Sequence, residues 1–194
     1  MAQFHFDPDT YLDVIRAELP AYDELERAVG DATAGARVRR VLDLGAGTGE
    51  TACSVLRHHP DASFVILDEN PTMLERAAPR LPNVSETIAG DLLDALPDDR
   101  FELVVSVLAI HHLASERKRA LFRRLHDVVG EAGRFVMGDV IVPGDPADAV
   151  TPIEPGVDLP DRLDDLLAWL SDAGFDPELT WRWHDLVVVR ADRA

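Results

Sequence analysis

Residues 41–49 read Val-Leu-Asp-Leu-Gly-Ala-Gly-Thr-Gly, and this stretch decides the fold. The apolar residues around Asp43 predict a short buried strand, and the alternating glycines that follow predict a tight turn. Gly45 and Gly47 have no Cβ atom that would keep a ligand away from the backbone. A helical pattern then runs over residues 49–58. A strand, a glycine turn and a helix in this order are typical of a loop that binds a nucleoside cofactor.

The spacing of the glycines discriminates between cofactors. In the dinucleotide fingerprint G-x-G-x-x-G, a third glycine allows the helix and the strand to pack closely. Here Glu50 stands at that position, and its carboxylate would repel a pyrophosphate. Asp43 adds a second negative charge below the loop. The loop therefore favours a cofactor with positive charge and no phosphate, and S-adenosylmethionine, which carries a sulfonium and an ammonium, has that chemistry.

Acidic residues follow two of the later strands that the sequence predicts. Asp68 ends the apolar run 63–68, close to the offset of about 20 residues after the loop at which an acidic side chain reaches ribose hydroxyls. Asn70, directly before a proline, is the better helix cap, which leaves Asp68 available. Glu69 is the alternative if the strand runs one residue further. Asp91 follows the third, weaker strand.

The stretch 41–49 resembles the first motif of the class I S-adenosylmethionine-dependent methyltransferases, and residues 90–92 and 101–113 are similar to later motifs of that family. The resemblance implies that Asp91 binds the adenine amino group, that the backbone N–H of Leu92 meets the ring, and that Ser106–Ala109 line the rear of the site. Glu102 departs from the family pattern, in which aspartate is usual. The cofactor-binding residues implied are Asp43, Gly45, Ala46, Gly47, Asp68, Glu69, Met73, Asp91, Leu92, Ser106 and Val107.

Length and composition restrict the class of protein. A chain of 194 residues predicts one domain over 1–194, and its net charge of −17 disfavours a nucleic-acid partner. The basic residues between 117 and 124 interleave with an apolar stripe, which indicates the solvated face of a helix. The single Cys53 cannot form an internal disulfide, so we expect a reducing, cytoplasmic location. No apolar run approaches the roughly 20 residues of a membrane span, so no membrane partner is expected.

Short apolar runs alternate with amphipathic helical patterns along most of the chain. This alternation predicts an α/β fold, with a doubly wound, mostly parallel, Rossmann-like sheet covered on both faces. Near the C-terminus two β-rich runs are separated only by His184, which predicts a hairpin and one antiparallel strand. The predicted strands are 39–44, 63–68, 84–89, 101–108, 133–141, 178–183 and 185–190. The predicted helices after the glycine loop begin near 49, 71, 115 and 161.

Two segments outside this alternation are candidates for covering the site. Residues 1–30 predict an N-terminal helical cap, and Phe4, His5 and Phe6 are a candidate aromatic lid at its start. Residues 142–160 contain five prolines. A long proline-rich loop in a small domain is unusual and is often a lid or a binding wall, although a rigid surface connection is the alternative.

Candidate catalytic residues follow the fourth and fifth strands. His111 and His112 come where the methyl group is expected, and an imidazole titrates near neutrality, so either is a candidate base. We rank His111 first because it is nearer the strand end. Tyr22, on the N-terminal helices with Tyr11, is a candidate contact to the sulfonium or the acceptor. Asp139 is a further carboxylate for an acceptor amine, and no metal-ligand spacing accompanies it, so no metal is expected.

The sequence therefore predicts an enzyme that methylates an oxygen or nitrogen atom of a small-molecule acceptor, with S-adenosylmethionine and without a metal ion. We expect a monomer or a homodimer. Two alternatives stay open. One is a cofactor-binding enzyme of another reaction, such as modification of the cofactor itself. The other is a non-catalytic regulatory protein that binds the cofactor.

Overall fold

The computed structural model describes residues 7–194, so the candidate lid Phe4, His5 and Phe6 lies outside the described residues. The strands are β1 (Arg40–Leu44), β2 (Ser63–Asp68), β3 (Val84–Ala89), β4 (Phe101–Val107), β5 (Val129–Val140), β6 (Phe175–Trp183) and β7 (Leu186–Arg193). The α-helices are α1 (Tyr11–Glu18), α2 (Tyr22–Ala32), α3 (Glu50–Leu56), α4 (Pro71–Ala77), α5 (Ser115–Val128) and α6 (Leu163–Asp172). A 3₁₀ turn, Ile110–His112, follows β4.

The seven strands form one sheet in the order β3-β2-β1-β4-β5-β7-β6. Strand β7 is antiparallel to β5 and β6, and the other neighbouring strands run parallel. The predicted α/β fold, with a mostly parallel sheet and a C-terminal antiparallel strand, is confirmed. The chain order reverses between β1 and β4. Ligands of doubly wound sheets bind at such a reversal, beyond the carboxyl ends of the strands.

Apolar side chains fill both faces of the sheet. On one face, β4 and β5 pack against the apolar stripes of α5 and α6, through residues such as Phe122, Phe135 and Leu170. On the other face, the central strands pack against α2, α3 and α4, through residues such as Leu25 and Phe64. Because both faces are covered, the strands are apolar at successive positions rather than at alternate ones.

Element boundaries differ from the prediction at several strands and helices, and two of these differences have a clear structural basis. Strand β5 begins at Val129, directly after α5, and its pairing with β4 is irregular before Arg134. Ala132 has a φ of 58° there, a conformation that the periodicity of the sequence does not indicate. The hairpin between β6 and β7 turns over two residues, His184 and Asp185, rather than one. Among residues 7–194, every helix is too short or too polar to cross a bilayer.

Candidate functional site

A cavity of about 390 Å³ opens at the carboxyl ends of β1, β2, β3 and β4. We call it the main cavity, and its size is within the range of small-molecule sites. It lies beside the reversal of strand order, where the fold predicts a ligand. Its lining residues are Tyr11, Gly45, Gly47, Asp68, Glu69, Asn70, Pro71, Met73, Asp91, Leu92, Val107, Leu108, Ala109, His112 and Leu113.

The glycine loop forms one wall of the main cavity, and hydrogen bonds to strand β2 fix its backbone. The N–H groups of Gly45 and Ala46 both donate to the carbonyl oxygen of Leu67, at 2.8 and 3.0 Å. Gly45 has a φ of +70°, and a Cβ atom there would lie 2.4 Å from the Cβ of Ala109. The position therefore requires glycine for its conformation and for the close approach of β4. Ala46 lines a second, smaller cavity below the loop.

Asp68 connects the end of β2 to the glycine loop. Its Oδ2 accepts from the N–H of Gly47 at 2.8 Å, and its Oδ1 accepts from the N–H of Asn70 at 2.8 Å. Burial raises the pKa of Asp68, and these two hydrogen bonds lower it in part. Glu69 and Met73 line the same wall. The predicted ribose-binding carboxylate therefore lies on the cavity, partly buried and held by the loop that it faces.

Asp91 and Leu92 line the far end of the main cavity. The Oδ1 atom of Asp91 accepts from the N–H groups of Leu93 and Asp94 and from the guanidinium of Arg117, which lies 2.6 Å away. All three of these bonds use Oδ1. Asp91 is therefore a fixed turn residue, on the cavity wall where the resemblance predicts the adenine contact.

The end of β4 forms the rear wall, with one exception to the prediction. Val107, Leu108 and Ala109 line the main cavity, but Ser106 does not. The Ser106 hydroxyl is buried and donates to the carbonyl oxygen of Leu44 at 2.8 Å, so it joins β4 to β1 inside the sheet. Leu108 has a φ of 49°. Strained backbone of this kind is often found at functional sites.

His111 is buried behind the main cavity and is paired with Asp139. Its Nδ1 lies 2.5 Å from Oδ1 of Asp139, and this oxygen also accepts from the N–H of Val140. The other oxygen, Oδ2, accepts from the N–H groups of Ile110 and His111. Burial of His111 opposes protonation, but the carboxylates of Asp139 and Asp158 outweigh it and raise the pKa of the imidazole to about 9. Asp139 is fully engaged and does not line the main cavity. The pair therefore holds the 3₁₀ turn in place.

His112, rather than His111, faces the main cavity. Its Nδ1 lies 3.0 Å from Oδ1 of Asp158, and its ring lies 3.9 Å from that of His111, centroid to centroid. Burial and the neighbouring His111 charge lower the pKa of His112 to about 4. Near neutral pH, the structure thus places a charged His111 behind the wall of the main cavity and an uncharged His112 on that wall.

Asp158 also brings together a cluster that the sequence spacing did not indicate. Potential ligand atoms of His111, His112 and Asp158 lie within 4.8 Å of one another. Oδ1 of Asp158 is 3.5 Å from Nε2 of His111. In the structure these groups neutralise one another as ion-paired or hydrogen-bonded partners, and the expectation that no metal is needed stays a prediction.

The sequence and the fold agree with a known family. The profile of the methyltransferase domain matches residues 41–133, which contain the glycine loop, Asp68 and Asp91. This part of the chain is thus similar to the methyltransferase domain family. An uncharacterized methyltransferase of Bacillus licheniformis is 32% identical over 104 residues, which are 53% of this chain and 47% of that protein. The carboxy-S-adenosyl-L-methionine synthase of Klebsiella pneumoniae is 26% identical over 141 residues, 68% of this chain and 56% of that protein.

The chain spans about half the length of these two curated relatives. Among solved structures, human N-acetylserotonin methyltransferase in complex with SAM has a TM-score of 0.74. The aligned region covers 97% of this chain and 57% of the human protein. At 16% identity, the similarity shows the fold alone.

The charged residues that line the two cavities carry one sign of charge. In the described part of the chain, the charged side chains on the two walls are carboxylates, and neither arginine nor lysine is among them. Asp43 lies below the loop, is completely buried, and has a pKa raised by burial and by the charges of Glu26 and Asp68. These residues suit a cationic cofactor and do not suit a phosphate.

Glu26 is a site residue that sequence reasoning missed. It lies on α2, is buried, and lines the smaller cavity together with Tyr22. Burial raises the pKa of Glu26 to about 7, although hydrogen bonds from Thr51 and Tyr22 lower it in part. A carboxylate at a core-facing position of an amphipathic helix is the signal that would have found it, since such residues are rarely buried without a partner.

The proline-rich loop 142–160 packs against the histidines rather than lining the main cavity. The N–H of Leu159 donates to the carbonyl oxygen of His111 at 2.8 Å, and the buried Lys118 binds Asp161 at 2.5 Å. Asp185 accepts from the N–H groups of residues 150 and 151. The loop is thus tied to the body at several points, and its role as a lid stays a prediction.

Proposed function

We propose that the protein transfers a methyl group from S-adenosylmethionine to an oxygen or nitrogen atom of a small-molecule acceptor. The observation that carries the proposal is the main cavity itself, which has carboxylates on its walls and neither arginine nor lysine among the described lining residues. A dinucleotide would bring a pyrophosphate into this field and would be repelled. S-adenosylmethionine supplies a methyl group already activated by its positive sulfur.

The chain's own residues would hold the two substrates in line. The spacing from the glycine loop assigns the ribose hydroxyls to Asp68, and the family resemblance assigns the adenine to Asp91 and Leu92. All three residues lie on the main cavity. The end of β4, with its strained Leu108, lies between this region and His112. Alignment of the reacting atoms is the main requirement of methyl transfer, so fixed walls are more important here than a strong base.

His112 is the candidate residue for receiving the acceptor's proton. It is uncharged near neutral pH because its pKa is lowered to about 4, so it can take a proton. The same low pKa makes it a weak base, and we therefore expect a contribution near the lower end of the usual range, about 100-fold. His111 is protonated near neutral pH and is enclosed by Asp139 and Asp158, so we assign it a positioning role. Tyr22 is hydrogen-bonded to Glu26 and has a raised pKa, so it can donate but not accept the proton.

Modification of the cofactor is the weaker alternative. A carboxylated cofactor, as in the name of the Klebsiella pneumoniae relative, adds an anionic group that needs a cationic partner. No such partner lines either cavity within residues 7–194. Metal-independent methyl transfer from a cofactor without an added carboxyl group therefore fits the charge of the cavity walls better.

The test separates binding from transfer. Calorimetry should show micromolar binding of S-adenosylhomocysteine and none of NAD, and Asp68→Asn should weaken the former about 10-fold or more. The exposed Asp61→Asn is the matched control. Mass spectrometry against a panel of phenols, alcohols and amines should detect the gain of one methyl group, and His112→Ala should lower kcat about 100-fold. Absence of S-adenosylhomocysteine binding would refute the proposal.

A further inference from the structure

A small cavity of about 20 Å³ adjoins the main cavity below the glycine loop. The two cavities share Tyr11, Gly45, Gly47, Val107 and Leu108 as lining residues, so they meet at this loop. A volume of this size holds one group as large as a water molecule or an ammonium. The small cavity is therefore a pocket for the end of a ligand whose larger part lies in the main cavity.

A buried carboxylate faces this pocket with one oxygen unpaired. Glu26 is 7% exposed, and its Oε1 accepts from the Thr51 hydroxyl at 3.1 Å. Its Oε2 has no hydrogen-bond partner among the described residues. Asp43, completely buried nearby, has neither oxygen in a hydrogen bond of good geometry within residues 7–194, although the N–H of Ala52 lowers its pKa in part. Buried polar atoms without partners are rare in native proteins and call for an explanation.

The cations nearest to this pair are already engaged. Arg57 donates to the Ser54 hydroxyl at 2.7 Å, and Arg80 is paired with Glu50. Arg57 lowers the pKa of Glu26 only as a minor influence, and burial dominates. The described residues thus leave two neighbouring buried carboxylates without a cation. A ligand in the small cavity that supplied a cation would pair with Glu26, which lines that cavity.

We propose that Glu26 binds the α-ammonium group of S-adenosylmethionine in the small cavity. This inference rests on the proposed function, because it assumes that cofactor in the main cavity. The ammonium has the size that the pocket admits, and it supplies the donors that Oε2 of Glu26 lacks. Tyr11 and Tyr22 line the same cavity, and aromatic rings of this kind favour a cation over an anion. Glu26 belongs to α2, which lies outside the matched residues 41–133.

The proposal makes Glu26 a selector for the amino-acid end of the cofactor. S-adenosylhomocysteine carries this end, and 5′-methylthioadenosine shares the nucleoside but lacks it. Calorimetry with both ligands on the wild type and on Glu26→Gln separates the two parts of the site. We expect Glu26→Gln to weaken S-adenosylhomocysteine about 10- to 100-fold, as for loss of a charge-assisted hydrogen bond, and to change 5′-methylthioadenosine less than about 2-fold. Glu24→Gln, exposed on the same helix, is the matched control and should change neither.

A second measurement needs no variant. The wild-type protein should bind the desamino analogue of S-adenosylhomocysteine, in which hydrogen replaces the amino group, about 10- to 100-fold more weakly than S-adenosylhomocysteine itself. Equal weakening of both ligands by Glu26→Gln, no weakening of either, or equal affinity of the wild type for the desamino analogue would overturn the role of Glu26 and leave the proposed function standing. Failure of the wild type to bind either nucleoside would instead overturn the proposed function.

Discussion

Replacing Asp139 with asparagine should destabilise the protein and remove a pH dependence that His111 confers. Asp139 is 2% exposed and accepts four hydrogen bonds, three from backbone N–H groups and one from His111. Asparagine offers one acceptor oxygen and an NH₂ group, so at least one buried N–H loses its partner and the imidazolium loses its counter-ion. Breaking a buried ion pair costs about 3–5 kcal/mol, and we expect a loss of that size near pH 7.

The sign of the pH dependence follows from the raised pKa of His111. The folded protein holds this proton up to a pKa of about 9, whereas an unfolded histidine loses it near 6.5. The resulting stabilisation, roughly 3 kcal/mol, is therefore complete below pH 6.5 and is lost as the pH rises through about 9. The destabilisation by Asp139→Asn should accordingly shrink between pH 7 and pH 10, because the wild type loses the contribution that the variant never had.

Urea unfolding at several pH values between 7 and 10 measures this difference. The exposed Asp61→Asn controls for the loss of one negative charge, and it should follow the wild-type curve within about 0.5 kcal/mol. The other titratable groups are present in all three proteins and cancel in the comparison. If Asp139→Asn had the same slope of unfolding free energy against pH as the wild type, Asp139 would not be the group that keeps His111 protonated.

Two further predictions concern the glycine loop and metal ions. Gly45→Ala should destabilise the fold by at least about 2 kcal/mol, since its φ of +70° disfavours alanine and the new Cβ would lie 2.4 Å from that of Ala109. Gly144→Ala, with open space around the position, should change the unfolding free energy by less than about 0.5 kcal/mol, and equal effects in urea unfolding would refute this account of the loop. Excess EDTA should leave methyl transfer unchanged, because His111, His112 and Asp158 already neutralise one another. A loss of turnover that Zn²⁺ or Mg²⁺ restores would instead assign a metal to that cluster.

The elements of the fold could be predicted because their signals are local. The strand 63–68 and the helix beginning at Pro71 follow from apolar periodicity and from the Asn70 cap, whose side chain does accept from the N–H of Thr72. The start of β5 could not be predicted, because it depends on irregular pairing with β4. That pairing is a tertiary contact that leaves no periodic signal.

The candidate site likewise has features that the sequence predicts and features that it does not. Asp68 lies at the end of a predicted strand, so its place on the main cavity follows from the rule for doubly wound sheets. Which of the two histidines faces the cavity does not follow from such a rule. The 3₁₀ turn points successive side chains about 120° apart, so that His111 lies behind the cavity wall and His112 lies on it. Ser106 was assigned to the cofactor from its position in β4, and its hydroxyl is bonded inside the sheet instead.

The sequence by itself determined the α/β fold and the kind of ligand that the loop at 41–49 admits. Backbone conformation at glycine, strand periodicity and the charge of Glu50 are properties of neighbouring residues, so they can be read along the chain. Only the tertiary structure decided that His111 is charged and His112 is not, and that one oxygen of Glu26 lies below the loop without a hydrogen-bond partner among the described residues. Protonation and pairing depend on burial and on partners far away in sequence, such as Asp139 and Asp158 for His111, and folding alone brings those groups together.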